Sequence, residues 1–391
     1  MFPFVIRASS NFISRILQGR FYRSSICQDA FPFPRRKQFI LGMCFPTHCN
    51  YFSSKSMKVA VLGAASKTGS CLSLFLKQSP LIDELAIYDN ECTYGLALDL
   101  NYIDTGCKVS TCNPSESCLK QTLEGAKIVM IVGDRTIGKE LNPCEILKCN
   151  ADTLSDLLPN VIRFCPQALV AVAMNPINSL IPLAMEMYKT AGVYEYSRVF
   201  GVISLDCLRA NTFAAEAIGI EPECVTVPVI GGSCSKTCIP IFSQAKPCNK
   251  ISLDEARRLT NAVRTTDEEI AKANKDKDTP SFAMAFGAAR FCMSLCKALR
   301  HQRGVVECAY ARSCVIPEIT YLAAPLELGP DGIQRHLGIP PLKDYECKLL
   351  AAAIPVLKRD ISLGVTLALG HENIPSEANC TNSSYVSQSP P

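Results

Sequence analysis

Three side chains in the middle of the chain carry groups that could do chemistry. Asp206 and Arg209 lie three residues apart in the otherwise uncharged stretch 201–213, which reads GVISLDCLRANTF. Ser233 follows a Gly-Gly turn in the stretch 225–237, which reads VTVPVIGGSCSKT. An acid and an arginine suit proton transfer and anion binding, but an ordinary i, i+3 ion pair on a helix surface has the same spacing. Ser233 has no adjacent base in the sequence to make it a nucleophile, so a small polar residue that fills space is the interpretation we prefer.

A glycine turn near the start of the folded sequence predicts a dinucleotide site. The strand-like run 58–64, KVAVLGA, leads into GAASKTG at residues 63–69 and then into a helical segment. Such a turn lets backbone amides and a helix N-terminus face a pyrophosphate. The next strand, 84–89, ends at Asp89, 26 residues after Gly63, where an acid can bond the ribose hydroxyls and select NAD over NADP. The turn alone is a weak signal, and the combination at βαβ spacing predicts NAD.

Apolar β-branched runs alternate with helical segments in the first part of the chain. Further strands are predicted at 127–133, 168–175 and 198–202, with a helix over 144–164. Strands that alternate with helices form a parallel sheet with both faces covered.

The second part mixes longer helices with separate strands. Helices are predicted over LDCLRANTFAAEAIG, 252–274 and 282–299, and strands over 224–232 and 304–313. We therefore predict an α/β fold in which a Rossmann-type doubly wound parallel sheet is followed by an α+β domain.

The predicted domain boundaries follow from these elements. Residues 57–202 are the NAD-binding domain, residues 203–371 are the substrate and dimerisation domain, and the polar tail 372–391 is disordered. Residues 1–56 hold eight Lys or Arg and a single acid, Asp29, which is typical of a mitochondrial transit peptide. The alternative is that residues 1–56 are a disordered N-terminal tail without a targeting signal. A secretory signal is disfavoured because arginines interrupt every apolar run, so we predict the mitochondrial matrix.

Composition narrows the classes of function. The net charge is only +4 and much of it lies in the N-terminal segment, so no basic face indicates nucleic-acid binding. No run of about 18 uncharged apolar residues follows that segment, and we expect no membrane span. The chain has 22 cysteines but four histidines and no CxxC pair. We expect most of the cysteines to be reduced thiols in the core, and we expect no zinc site.

Residues 57–370 resemble malate dehydrogenase of the mitochondrial type, in the lactate/malate dehydrogenase family. The resemblance rests on GAASKTG, on MNPINS, on LDCLRANTF and on the Gly-Gly turn before Ser233. It implies oxidation of malate by NAD to oxaloacetate, a small dicarboxylic 2-hydroxy or 2-keto acid as substrate, and a homodimer. The catalytic positions implied are Asp206 and Ser233, and the substrate-binding positions are Arg135, Asn175 and Arg209. The cofactor-binding positions implied are Gly63, Ala64, Ala65, Ser66, Lys67, Thr68, Gly69, Asp89, Val132, Gly133, Asn150, Asn175 and Met284.

Two positions depart from the family's chemistry. Ser233 lies where the family has the histidine that exchanges a proton with the substrate, and a serine hydroxyl has no pKa near neutrality. Ser66 replaces the middle glycine of the G-A-x-G-x-x-G turn, where a side chain is expected to crowd the diphosphate and weaken NAD binding, with Lys67 offsetting this in part by its charge. Asn175 has an alternative role as the cap of a helix that begins near Asn178.

The family's substrate loop also departs here. Residues 132–143 read VGDRTIGKELNP, in which Arg135 corresponds to the first of two substrate-clamping arginines. The second falls on Asn142 or Pro143 and is missing, and nearby Lys139 is a point charge rather than a bidentate fork.

Two classes of function remain open from the sequence. The chain is either an NAD-dependent malate dehydrogenase with low or altered activity, or a non-catalytic relative that keeps the fold. Such a relative would bind NAD, bind a partner dehydrogenase, or form thiol-linked mitochondrial material through its many cysteines. The missing histidine and arginine favour the second class.

Overall fold

One continuous mixed β-sheet runs through both parts of the chain. The structure is a computed structural model that describes residues 56–133, 143–193, 195–247, 251–274 and 281–370. The strands among the described residues are β1 (Lys58–Leu62), β2 (Glu84–Tyr88), β3 (Lys108–Ser110), β4 (Ile128–Val132), β5 (Leu169–Ala173), β6 (Val199–Val202), β7 (Val229–Gly231), β8 (Cys238–Pro240), β9 (Val305–Arg312), β10 (Tyr321–Gly329) and β11 (Gly332–His336). Their order across the sheet is β3-β2-β1-β4-β5-β6-β9-β10-β7-β8, and β11 pairs with β10.

The first six strands are parallel, and the remaining strands pair antiparallel. The order β3-β2-β1-β4-β5-β6 is that of dinucleotide-binding doubly wound folds, which bind a ligand at the carboxyl ends of β1 and β4, where the strand order reverses. Strand β6 then pairs antiparallel with β9, and the sheet continues through antiparallel pairs to β8. The predicted Rossmann-type sheet followed by an α+β part is confirmed.

Helices cover both faces of the sheet. The helices longer than one turn that the structure describes are α1 (Lys67–Lys77), α2 (Tyr94–Asn101), α3 (Glu116–Leu123), α4 (Pro143–Phe164), α5 (Ile177–Thr190), α6 (Ser204–Ile218), α7 (Leu253–Ala273), α8 (Ser281–Leu299) and α9 (Asp344–Ala368). Helices α1, α2 and α8 share one hydrophobic core, and α3, α4, α5 and α9 share the other.

Strand β1 shows how the sequence serves both layers. Val59 and Val61 belong to the core under α1 and α8, whereas Ala60 and Leu62 belong to the core under α4 and α5. Side chains alternate between faces along a strand, and both faces of this one are dry. The continuous apolar run in the sequence is therefore what a central parallel strand requires.

Most predicted elements agree with observed ones. The predicted strand over 224–232 is wrong in its first half, because β7 covers only Val229–Gly231 and Thr226 forms an isolated bridge with Lys246. Pro228 has no N–H to donate to a ladder, which stops the strand from running through it. The described elements that the sequence did not predict are β3, β8, β10, β11, the short helices α2 and α3, and the long helix α9.

Some predictions concern residues that the structure leaves undescribed or does not test. The transit segment 1–56 and the tail 372–391 lie almost wholly outside the described residues. The predicted boundary at 202/203 falls between β6 and α6 and stays a prediction, since one sheet serves both parts. Helix α8 is long and apolar enough to cross a membrane by length and composition, but 56% of its apolar 18-residue stretch is buried in the protein. A core helix passes the same test, so α8 is weak evidence for a span.

Helix α9 packs on α5 through a close backbone contact at Gly364. A Cβ atom at Gly364 would lie 2.0 Å from the carbonyl oxygen of Ser179. Only a glycine allows the two helices to approach this closely.

We predict that Gly364→Ala lowers the free energy of unfolding by about 1–3 kcal/mol, because the added methyl group forces α9 away from α5. The matched control is Gly95→Ala in α2, where a Cβ would meet no atom within 4 Å. That change is expected to be neutral or stabilising by about 0.5 kcal/mol, since alanine favours a helix over glycine. Urea unfolding of both variants measures the difference, and equal stabilities would contradict the packing argument.

Candidate functional site

The glycine turn after β1 is built by two close backbone contacts. Gly63 has φ +92°, and a Cβ there would lie 1.9 Å from the carbonyl oxygen of Val132. A Cβ on Gly69 would lie 2.1 Å from the carbonyl oxygen of Gly63. Both positions therefore require glycine, one to let β1 turn against β4 and the other to seat α1 on the turn.

Ser66 caps α1 from within this turn. Its Oγ donates to the Gly63 carbonyl oxygen at 2.8 Å and accepts from the Gly69 amide at 2.9 Å. The hydroxyl is thus folded into the turn, and it engages one of the first-turn amides that would otherwise face an anion. Weakened NAD binding stays a prediction, with loss of this amide as a physical basis beside the crowding expected from the sequence.

The acid at the end of β2 lies against the same turn. Asp89 Oδ2 accepts from the Ala65 amide at 2.9 Å, which brings the predicted ribose-binding carboxylate beside the predicted diphosphate turn. The ammonium of Lys67 lies 4.9 Å from the ring centre of Phe282, on α8. Ala64 and Thr68 are fully buried and hold the turn by packing.

The other predicted cofactor residues before α5 lie on β4, on α4 and in the segments that follow β4 and β5. Val132 is the last residue of β4 and Gly133 follows it, and Asn150 on α4 donates its Nδ2 to the Asn175 carbonyl oxygen at 2.6 Å. Asn150 is buried, and its Oδ1 has no hydrogen-bond partner in the part of the chain that the structure describes. A buried acceptor without a partner is costly, and it fits a site whose ligand supplies the donor.

Asn175 does not cap α5. The N-cap residue of α5 is Pro176, which makes no side-chain capping bond, and Asn175 is exposed. The capping alternative is therefore wrong, and the amide stands at the carboxyl end of β5, where the fold places ligands. Met284 is half-buried on α8, one turn before Gly287, which packs against the start of α6.

Asp206 and Ser233 meet in the structure. Asp206 lies in the first turn of α6, and Ser233 Oγ donates to Asp206 Oδ2 at 2.9 Å. Burial raises the pKa of Asp206 to about 6, while Arg209 and the Ser233 hydrogen bond lower it and the charge of Asp267 raises it. The carboxyl group therefore exchanges its proton near neutral pH.

Arg209 is not part of a surface pair with Asp206. Its side chain is 9% exposed, and its guanidinium forms an ion pair with Asp267 on α7, whose side chain is 57% exposed. Asp267 is not among the site residues predicted from the sequence. It lies 58 residues after Arg209 on an amphipathic helix, where acidic residues are ordinarily solvent-facing, so no local signal marks it.

A second missed residue, Asn178, holds the Ser233 backbone. Its Oδ1 accepts from the Ser233 amide at 3.0 Å. Its Nδ2 donates to Asp360 Oδ2 at 3.1 Å and to Thr237 Oγ1 at 3.2 Å. Asn178 stands in the string MNPINS, so its neighbourhood was marked in the sequence although its contact was not.

The structure thus brings together most of the predicted site residues. The turn residues 63–69 and Asp89 lie on one side of the sheet's switch point, and Asn150 contacts Asn175 on the other. Asp206 contacts Ser233, and Arg209 lies one helical turn away from Asp206. Arg135 lies outside the described residues, so its predicted role stays a prediction.

The Asp206 carboxyl group makes the stability of the protein depend on pH. The folded protein holds this proton up to about pH 6, whereas the unfolded chain releases it near the ordinary pKa of 3.8. Between these values the folded state binds more protons, so its unfolding free energy falls as pH rises.

We predict that Asp206→Asn abolishes the fall of the unfolding free energy that Asp206 causes as pH rises. The stability of the variant relative to wild type should increase by on the order of 1–3 kcal/mol between about pH 4 and pH 6. Urea unfolding at several pH values measures the slope. The control is Asp156→Asn, which removes an exposed carboxylate on α4. Parallel curves for wild type and Asp206→Asn would contradict the assignment.

Both parts of the folded chain match the sequence models of domains from one protein family. Residues 57–201 match the lactate/malate dehydrogenase NAD-binding domain, and residues 203–368 match the lactate/malate dehydrogenase α/β C-terminal domain. The first description identifies NAD as the cofactor of this half of the chain, and the glycine turn, Asp89 and the unsatisfied Asn150 Oδ1 fit it.

Full-length relatives and solved structures agree with this match. The chain is 36% identical to the mitochondrial malate dehydrogenase of Caenorhabditis elegans over 82% of this chain and 93% of that protein. It is 38% identical to that of Homo sapiens, over 80% and 92% respectively.

The fold also matches that of the Cryptosporidium parvum malate dehydrogenase, with a TM-score of 0.67 at 22% identity, covering 78% of this chain and 99% of the other. A lactate dehydrogenase from the same organism matches with a TM-score of 0.68 at 21% identity, covering 82% and 99%. Both family domains match in order, and the mitochondrial relatives match along nearly their whole length. The chain therefore belongs to the lactate/malate dehydrogenase family.

Proposed function

We propose that this chain is an NAD-binding protein of the malate dehydrogenase type whose dehydrogenase activity is lost or strongly reduced. The family reaction oxidises malate with NAD to oxaloacetate, in the tricarboxylic acid cycle. One observation carries the proposal: the hydrogen-bond partner of Asp206 at the proton-transfer position is the hydroxyl of Ser233, at 2.9 Å.

The family reaction must remove a proton from the substrate hydroxyl when malate is oxidised. An imidazole oriented by a carboxylate takes up and returns a proton near neutral pH and reaches well beyond its own backbone. A serine hydroxyl is shorter and has no such pKa. Loss of a positioned general acid or base lowers a rate by about 10²–10⁴.

Bound NAD would supply the hydride acceptor. The turn around Gly63 and Gly69 would hold its diphosphate, Asp89 its ribose, and Val132, Gly133 and Asn150 would line the path toward the nicotinamide near Met284. Asn175 and Arg209 would hold and orient the acid substrate, with Arg135 as a third contact.

A second candidate is an active NAD-dependent malate dehydrogenase with an altered rate or substrate. The pKa of about 6 for Asp206 favours it, because this carboxyl group retains a protonated fraction closer to neutral pH than an ordinary aspartate does, and it contacts the Ser233 hydroxyl. A proton held in this way requires a relay to reach the substrate, which is slower than direct transfer from an imidazole.

We predict that the full-length chain binds NADH but turns over oxaloacetate about 10²-fold or more slowly than an ordinary mitochondrial malate dehydrogenase. NADH fluorescence titration measures the first property, and NADH absorbance measures the second. Ser233→His should raise turnover because it restores the proton donor beside Asp206. Ser233→Ala, the control, should not.

The two readouts test separate parts of the proposal. Wild-type turnover within about tenfold of an ordinary family enzyme would favour the active candidate. Failure of wild type and both variants to bind NADH would show that the chain does not retain the cofactor.

We also propose a mitochondrial matrix location and a homodimer. Mitochondrial malate dehydrogenases are the relatives reported above, and the arginine-rich N-terminal segment supports import. Large apolar side chains are exposed on the neighbouring helices α1, α2 and α8, which supports a partner surface on this side of the sheet. These exposed residues are Leu74, Tyr94, Leu98, Phe282 and Phe286.

Thiol-linked assembly is a further candidate role, supported by the cysteines. Cys112 and Cys118 form a disulfide, and 14 described cysteines are free thiols. Four of these free thiols are exposed, namely Cys92, Cys224, Cys314 and Cys347. Exposed thiols are the ones that can cross-link between chains.

We predict that light scattering of the reduced protein gives the mass of two chains. A mass of one chain would contradict the homodimer.

Non-reducing gels of organelles isolated with a thiol-blocking reagent test the cross-linking role. Larger species that disappear with reductant, and that a variant with all four exposed cysteines changed to serine lacks, would support it. A purely monomeric band without reductant would contradict the cross-linking role.

A further inference from the structure

The Arg209–Asp267 ion pair occupies the cation expected to bind the substrate. Arg209 is buried with 9% of its side chain exposed, whereas Asp267 reaches it from α7 and stays 57% exposed. The two residues belong to different helices, α6 and α7, which pack side by side. A buried guanidinium requires an anionic or polar partner, and Asp267 provides one from within the chain.

Carboxylates compete for the same donors of a guanidinium. Arginine binds a carboxylate through the planar fork of its N–H groups, and a carboxylate already in place occupies part of that fork. A 2-keto or 2-hydroxy acid that approaches Arg209 must therefore displace Asp267 or share the guanidinium with it.

We propose that Asp267 is an internal carboxylate that competes with acid ligands for Arg209 and so sets the site's low affinity for 2-keto and 2-hydroxy acids. The inference rests on the proposed function in one respect, which is that Arg209 faces the acid-binding part of the cleft. It names Asp267 as a specificity-determining residue of that cleft.

The local charge supports the same conclusion. Both Arg209 and Asp267 lie close enough to Asp206 to influence its charge, and the three side chains sum to one negative charge when both acids are ionised. A dicarboxylate adds two more negative charges in a partly dry environment, where repulsion between like charges is stronger than in water.

The exposure of Asp267 makes the competition reversible. A carboxylate that is more than half exposed is solvated when it leaves its partner, so its departure carries a modest cost. Removing Asp267 leaves the buried Arg209 without this partner, which increases the gain from an incoming carboxylate. The pair therefore lowers affinity for acids without closing the site.

The test compares ligand binding to full-length protein loaded with NADH. The probe is tartronate, a 2-hydroxy dicarboxylate, and isothermal calorimetry gives its dissociation constant. Asp267→Asn removes the charge with little change of size and should bind tartronate about tenfold or more tightly than wild type, because one charge-assisted hydrogen-bond partner becomes available.

Two further variants separate this effect from a general change of charge. Glu269→Gln removes one negative charge from an exposed position on the same helix and should bind tartronate like wild type. Arg209→Met combined with Asp267→Asn should lose the gain, since the cation itself is absent. Asp267→Ala provides the same comparison if the asparagine variant fails to fold, as judged by its melting curve.

The outcomes distinguish this inference from the proposed function. Equal tartronate affinities for wild type and Asp267→Asn, both loaded with NADH, would overturn the role of Asp267 and leave the cofactor proposal intact. If neither protein binds NADH, the cofactor proposal fails, and the same calorimetric comparison on the free chains still decides the role of Asp267. A gain in Glu269→Gln equal to that in Asp267→Asn would also overturn it.

Discussion

The buried amide of Asn178 holds the separate parts of the site in one arrangement. Its side chain bonds the Ser233 amide, Thr237 and Asp360, which come from the turn between β7 and β8 and from helix α9. Asn178 itself belongs to α5, directly after β5 of the parallel sheet. An amide that is 1% exposed must have all its polar atoms satisfied. That requirement fixes where the β7–β8 turn lies relative to the cofactor half and so brings Ser233 to Asp206.

The glycines around this network make the close approaches possible. A Cβ on Gly232 would lie 2.5 Å from Asn178 Oδ1, and one on Gly364 would lie 2.0 Å from the Ser179 carbonyl oxygen. The same helix α5 is thus approached closely both by the turn and by α9. This framework places the hydroxyl of Ser233 beside Asp206.

Three contacts bear on the proposed loss of activity. The Ser233 hydroxyl bonds Asp206, Ser66 engages an amide of the glycine turn, and Asp267 engages Arg209. Under the proposed function these contacts would act on different steps, namely proton transfer, cofactor binding and substrate binding. The apolar cores beneath them are buried on both faces of the sheet, so the fold does not depend on these polar contacts.

The sequence alone determined five of the six parallel strands, because β1, β2, β4, β5 and β6 are short apolar runs between turns and helices, whereas β3 is only three residues long with two of them exposed. The βαβ spacing also marked Asp89, whereas Asp206, Ser233 and Ser66 were marked by the resemblance of their surrounding strings to the family. The sequence prediction missed β10 and α9, where the apolar pattern does not separate strand from helix, and it extended β7 through Pro228, which cannot donate to a ladder.

Only the tertiary structure decided the partners of these residues. The contact between Arg209 and Asp267 joins residues 58 positions apart, and that between Asn178 and Asp360 joins residues 182 positions apart. An acid on an amphipathic helix looks the same in sequence whether it faces solvent or an arginine. Its partner depends on how α6 and α7 pack, which is set by the burial of many side chains at once and not by local spacing.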